Sequence, residues 1–317
     1  MSPVSNGDYE GVVILGFPRS GTTLLRRLVS AHPEFHCPPE TNLLSAASRF
    51  LEEYPFGEGL SVGVRSGLAY AGVREEEVLE EVRGLVFSLL RRVLELSGKR
   101  RWVEKTAFDS FHLKEIDCLL GDSCRYICLF RHPLDVVCSV ENLCAKMGMY
   151  LPELHQYVSR YPSPREAFCH AWADVNRDLL AFSERRSSSC LRIRYEDLVE
   201  DPENELKRIF GFLGEPTDIG AVIKSALGDA GSIGLGDWKV YETTTIGAGS
   251  KERWRRDMGE TEAYRYANMV EALMRRLDYE MVPSPGESNG EEARRRHQLE
   301  RMVARLRSVE SHNNSGS

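Results

Sequence analysis

The segment GVVILGFPRSGTTLLRRL, residues 11–28, limits the fold more than any other part of the chain. Residues 11–16, GVVILG, read as a short, β-branched buried strand. A glycine, proline, serine and threonine loop follows, then a helix through about Ala31 that stops before Pro33. Gly16 and Gly21 keep the G-x4-G spacing that lets backbone N–H groups at a helix N-terminus converge on an anion. A nucleotide-triphosphate loop would next place a lysine, then a Ser or Thr on magnesium. Here the pair is Thr22–Thr23, and the basic residue lies inside the loop as Arg19. The loop can cradle a phosphate-like group but lacks the lysine aimed at a γ-phosphate. A P-loop nucleotide or small-molecule kinase is therefore the weaker alternative, and no aspartate-ended apolar strand stands out as its metal ligand.

The rest of the chain alternates in the same manner. Arg101–Val103, Arg125–Phe130 and Cys190–Ile193 read as strands. Helices are expected after Asp109, from Pro133, over Pro164–Arg185 and over Pro202–Leu213, the last capped by Asp201. Residues 41–97 read as mostly helical, with a helical apolar period from Val78 to Val93. This pattern predicts an α/β fold: three αβα layers, P-loop-like, with a central parallel sheet. Helical insertions at about 41–97 and 144–185 would lie over the ligand cleft. With 317 residues the chain can bury its own core. One catalytic domain is expected over residues 1–283, then a linker, SPGESNGEE, at 284–292. Residues 293–310 read as a basic amphipathic helix with Leu299, Met302, Val303, Leu306 and Val309 on one face. Arg294, Arg295, Arg301 and Arg305 lie on the other, and 311–317 form a polar tail. Such a helix is too polar to stand alone, so it packs on the domain, pairs with a second copy or docks a partner, unless it frays.

Charge and composition exclude several classes. The formal net charge is −7, against a general nucleic-acid binder. No apolar run approaches a membrane span, and the first residues show no secretory signal. The eight cysteines include no C-x-x-C pair and no zinc spacing, so reduced buried thiols and a cytoplasmic location are expected, with no metal.

PRSGTT after a buried strand resembles the 5′-phosphosulfate loop of sulfotransferases that use 3′-phosphoadenosine 5′-phosphosulfate (PAPS). The second half of that signature, a strand ending in Arg with a Ser eight residues later, is matched by Arg131 and Ser139 in YICLFRHPLDVVCS. The resemblance implies that these two hold the 3′-phosphate, where Arg can give bidentate charge-assisted bonds. It implies that Arg19, Ser20, Gly21, Thr22, Thr23 and Leu24 cradle the phosphosulfate, and that Tyr195 in IRYEDL lies near the adenosine. GDWKVYETTTIGAGSKERW resembles the loop that folds over the cofactor, with Trp238, Lys239, Lys251, Arg253 and Trp254 as contacts.

WVEKT is similar to the strand-end lysine segment and places Lys105 at the sulfuryl group, with Arg19 sharing that role from the other side. Glu40, in CPPETN, matches the catalytic base of the protein-tyrosine branch. His36 and His112 are weaker candidates, and Glu104 reads as a strand-end charge. Two residues after the base that branch has arginine, where this chain has Asn42, and its secretory anchor is absent. The resemblance thus implies sulfuryl transfer from PAPS, without a metal, to a small-molecule hydroxyl, free or carrier-tethered; it does not reach the C-terminal helix, whose apolar face alone raises a homodimer as one expectation.

Overall fold

The computed structural model describes residues 9–228 and 251–285. Five parallel strands make the central sheet: β1 Gly11–Leu15, β2 Phe35–His36, β5 Arg101–Glu104, β6 Cys124–Phe130 and β7 Cys190–Arg194. Their order is β2-β5-β1-β6-β7, so β1 lies at the centre. The register sets Val12 beside Val103 and Arg125, and Leu15 beside Cys128.

Alternation along the strands feeds two cores. On β1, Val13 and Leu15 point into one, and Val12 and Ile14 into the other. On β6, Tyr126, Cys128 and Phe130 join the first, while Ile127 and Leu129 join the second. The second core is closed by α1 Thr22–Ser30, α9 Tyr195–Glu200, α10 Pro202–Leu213 and α11 Ile219–Gly228. The first is closed by α2 Leu43–Leu51, α4 Glu75–Ser97, α5 Leu113–Leu120, α6 Pro133–Met147 and α8 Pro164–Arg185, among others. Strands covered on both faces have no need of polar residues, which explains the unbroken apolar run of β1. The result is the expected three-layer αβα, P-loop-like architecture.

Local signals explain most helix ends. Ser163 accepts from the backbone N–H of Glu166 at 3.2 Å and starts α8, and Asp201 accepts from Asn204 at 3.2 Å and starts α10. Pro133 occupies the first turn of α6.

The insertion at 41–97 is less helical than its sequence suggests. Between α2 and α4 lie a hairpin, β3 Glu53–Pro55 with β4 Ser61–Gly63, and the helix α3 Val64–Tyr70. Gly57 and Gly59 take positive φ values of 54° and 83° at its tip, which the glycines permit. The helix expected after Asp109 starts only at Leu113, beyond a 3-10 turn at Asp109–Phe111.

C-terminal to the undescribed stretch, helices Trp254–Asp257, Glu260–Met269 and Glu271–Arg276 pack on the first core. The expected helix at 293–310, the tail, most of the linker, Trp238 and Lys239 lie outside the described residues. Among the described residues no helix is long and apolar enough to cross a membrane. The eight cysteines form no disulfide, and all but Cys118 are buried.

Candidate active site

Every sheet strand delivers a candidate residue at or just beyond its C-terminal end, where ligands of open α/β sheets sit. Across the sheet these are Glu40 after β2, Lys105 after β5, Arg19 after β1, Arg131 after β6 and Tyr195 after β7. The site therefore divides into a β1–β6–β7 half and a β2–β5 half.

In the first half the loop from Gly16 to Gly21 folds tightly. Ser20 N–H donates to the Phe17 carbonyl at 3.0 Å, and Arg19 takes a φ of 73°. Gly21 takes φ 100°, and a Cβ there would lie 2.4 Å from the Tyr195 ring. Only glycine fits that position, for conformation and space alike. Arg131 is buried; its Nη1 donates to the Arg19 carbonyl at 2.9 Å, and its guanidinium lies 4.2 Å from the Tyr195 ring centre. The Arg19 Nε donates to Ser139 Oγ at 3.1 Å. Arg19 thus stands with the Arg131–Ser139 group. Buried Ser20 Oγ has no hydrogen-bond partner among the described residues, and Thr22 and Thr23 are buried on the first turn of α1. Two guanidinium-bearing residues, four hydroxyl-bearing residues and a helix N-terminus make a cradle suited to phosphate groups.

Asp135, one turn into α6, was not singled out by sequence. It is buried and accepts the backbone N–H of Glu252 at 2.8 Å and of Trp254 at 3.1 Å. Burial pushes its carboxyl up to about 6 against the pull of Arg131. Trp254 stacks on His132, with ring centres 5.7 Å apart. Burial and three arginines, Arg255 first, push His132 down to about 3. Lys251 pairs with Glu200, and Arg253 with Asp257 at 2.6 Å. These three expected cofactor contacts are thus engaged with protein partners beside the cleft.

In the second half, residues 40–45 run alongside residues 104–109 and are joined by four links. Glu40 pairs with the Lys105 ammonium. Thr41 Oγ1 donates to Glu104 Oε1 at 2.9 Å, and Asn42 N–H donates to Thr106 Oγ1 at 3.2 Å. Ser45 Oγ donates to Asp109 Oδ1 at 2.5 Å. Asn42 takes φ 57°, a left-handed conformation that asparagine tolerates better than arginine does.

Lys105 and Glu104 are buried, whereas the Glu40 side chain remains 14% exposed. Glu104 ends β5, and it is buried. Burial pushes its carboxyl up to about 7, against the Thr41 and Thr106 hydroxyls. Asp109 is pushed up to about 8, by burial first and then by Glu104. No local sequence signal marks either residue, because each is met by a segment distant in the chain, Glu104 by Thr41 and Asp109 by Ser45. Burial lowers the His36 and His112 imidazoles, with Lys99 and Arg26 adding to the effect at His36. Among the described residues no group of His, Cys, Asp and Glu could hold a metal ion.

An open αβα sheet with an anion cradle at its strand ends defines a broad class, and comparison with known proteins narrows it. The model of the sulfotransferase family matches residues 11–218, and the chain belongs to that family. It is 27% identical over 284 residues to the nodulation protein NoeE of Sinorhizobium fredii, covering 84% of this chain and 65% of that protein. It is 26% identical over 212 residues to protein-tyrosine sulfotransferase A of Caenorhabditis elegans, covering 65% of this chain and 50% of that one. The chain thus spans about half to two thirds of the length of these relatives. Among solved structures, the sulfotransferase domain from the curacin biosynthetic pathway superposes with a TM-score of 0.61 at 22% identity, over 86% of this chain and 99% of that domain. Family membership speaks against the kinase alternative.

Proposed function

We propose that this chain transfers a sulfuryl group from PAPS to a hydroxyl of a small-molecule acceptor, releasing 3′,5′-adenosine bisphosphate. The observation that carries the reading is the contact of Glu40 with Lys105 at one end of a cleft whose other end gathers Arg19, Ser139 and Arg131. The donor is a substrate with two separate phosphate-bearing ends, and the β1–β6–β7 half offers cationic and N–H groups for both. Arg131, Arg19 and Ser139 suit the 3′-phosphate. The N–H groups of Gly21–Leu24 and the buried Ser20 hydroxyl suit the phosphosulfate. Tyr195 packs behind Gly21 and Arg131 and fixes both. Lys251, Arg253 and Trp254 belong to the segment that Asp135 holds beside the same cleft.

The chemistry follows from the pair in the other half. Glu40, the more exposed partner, takes the acceptor's hydroxyl proton. The acceptor oxygen then bonds to sulfur as the sulfur–oxygen bond to the donor phosphate breaks. Protonation removes the negative charge of Glu40, which leaves the Lys105 charge uncompensated as negative charge builds on the departing phosphate. No metal is needed for this balance of charge.

Asn42 in place of arginine supports a small, uncharged acceptor over an acidic peptide. The partly buried ring pair Phe108–Phe111 at 6.4 Å, beside the 104–109 segment, favours one with an apolar body, free or carrier-tethered. Thermal shift tests the reading: 3′,5′-adenosine bisphosphate should raise Tm, and ATP with magnesium should not. The reverse result would reinstate a kinase.

A further inference from the structure

Glu40 and Lys105 are 65 residues apart in sequence, and each follows a different strand. A base and a cation in contact must be held there by something other than their own flexible stems. Glu104 stands at the point where this can be done. Its Oε1 accepts from Thr41 Oγ1 at 2.9 Å and from Thr106 Oγ1 at 3.0 Å. Thr41 is the chain neighbour of Glu40, and Thr106 is the chain neighbour of Lys105. Both hydroxyls also fix backbone of the base-bearing segment: Leu43 N–H donates to Thr41 Oγ1 at 3.1 Å within that segment, and Asn42 N–H donates across to Thr106 Oγ1 at 3.2 Å. One carboxylate oxygen therefore ties the segment bearing the base to the segment bearing the lysine.

The cost of this arrangement points the same way. Glu104 is 1% exposed, and its Oε2 has no hydrogen-bond partner among the described residues. An apolar side chain would be cheaper at such a place. Nor can Glu104 serve as the base itself, because one oxygen is filled by two donors and the other is sealed from any acceptor. We propose that Glu104 is the positioning residue of this active site, holding the Glu40 carboxylate against the Lys105 ammonium by gripping the neighbours of both.

The inference rests on the sulfuryl-transfer reading, and its test separates the two. The probe is PAPS itself with water as acceptor, followed by release of 3′,5′-adenosine bisphosphate, while calorimetry measures the affinity for that product. Thr41→Val with Thr106→Val removes both hydroxyls, keeps the side-chain shapes and leaves Glu104 in place. Turnover should fall about 10–100-fold, the scale of a misplaced catalytic group, while product affinity stays within about twofold. In a Glu40→Gln background the same valine pair should cost almost nothing further, since the group it positions is already disabled.

Glu104→Gln keeps an acceptor oxygen and should retain turnover within about threefold. If the valine pair does not fold, Thr41→Val alone serves, with a smaller loss of the same kind. Wild-type turnover in the valine variants would overturn the proposal. So would an equal loss in the Glu40→Gln background, or a parallel loss of product affinity, which would mark a merely structural role. A wild-type protein that binds no 3′,5′-adenosine bisphosphate would instead remove the sulfuryl-transfer reading, and this inference with it.

Discussion

On the β1–β6–β7 side of the cleft, each candidate residue lies close in sequence to the strand that presents it. Arg19 and Ser20 follow β1 directly, Arg131 follows Phe130, and Ser139 is on the helix that comes next. On the β2–β5 side the working unit is assembled from two segments that meet at separations of 63–65 residues. The first half is a set of local turns on a rigid sheet. The second is a polar clasp between a loop and a strand end, with two buried carboxyls beneath it. The difference suggests a division of labour. Local turns can hold a donor that offers fixed phosphate groups, while a clasp between distant segments can bring a base and a cation to one point. Substitutions in the two halves should therefore fail in different measurements.

The largest effect is expected at Glu40. Glu40→Gln should lower turnover about 10²–10⁴-fold, the range for losing a general base, with product affinity near wild type. Stopped assays of 3′,5′-adenosine bisphosphate release and calorimetry on one preparation give both numbers. A matching fall in affinity would break the division between the halves.

Lys105→Ala should follow, with a loss of about 10²–10³-fold, the scale of removing one preorganised charge-stabilising donor. Were it to raise only the acceptor's KM, Lys105 would be a binding residue and the clasp a recognition device.

Arg131→Ala probes the other half. It should weaken 3′,5′-adenosine bisphosphate binding by about 1.5–3 kcal/mol, the range for a charged hydrogen bond. Adenosine 5′-monophosphate, which lacks the 3′-phosphate, should lose less. Equal losses in titration calorimetry would assign Arg131 to shaping the loop through the Arg19 carbonyl instead.

The smallest effect concerns stability. Asp109 ionises only at about 8 in the folded protein, because burial and Glu104 disfavour its charge. The ordinary carboxyl value of about 3.9 applies once the chain unfolds. Between these values the folded state holds the extra proton, so this group's contribution to stability falls as pH rises towards 8. Asp109→Asn should flatten that decline and raise Tm at pH 8 relative to pH 5, as followed by calorimetry. An unchanged slope would mean that Asp109 does not carry it.

The sequence alone determined the open parallel sheet, because β-branched runs buried on both faces have no polar alternation to disguise them. It determined the anion loop as well. G-x4-G spacing, Arg19 and the Arg131–Ser139 pair are local patterns tied to strand and helix ends. Pro133 and Asp201 likewise marked helix starts through a fixed φ or a short-range hydrogen bond. The hairpin at 53–63 escaped because its strands are only three residues each and lie between helical patterns. Resemblance to a family brought Glu40 and Lys105 forward as separate residues; only the tertiary structure put them in contact. Glu104, Asp109 and Asp135 owe their altered acidity to burial by segments far away in the chain, and no window of sequence contains that information. Desolvation and hydrogen bonding depend on what surrounds a carboxyl in space, and here that was decided where residues 41–45 meet residues 104–109 and where the Glu252–Trp254 segment meets α6.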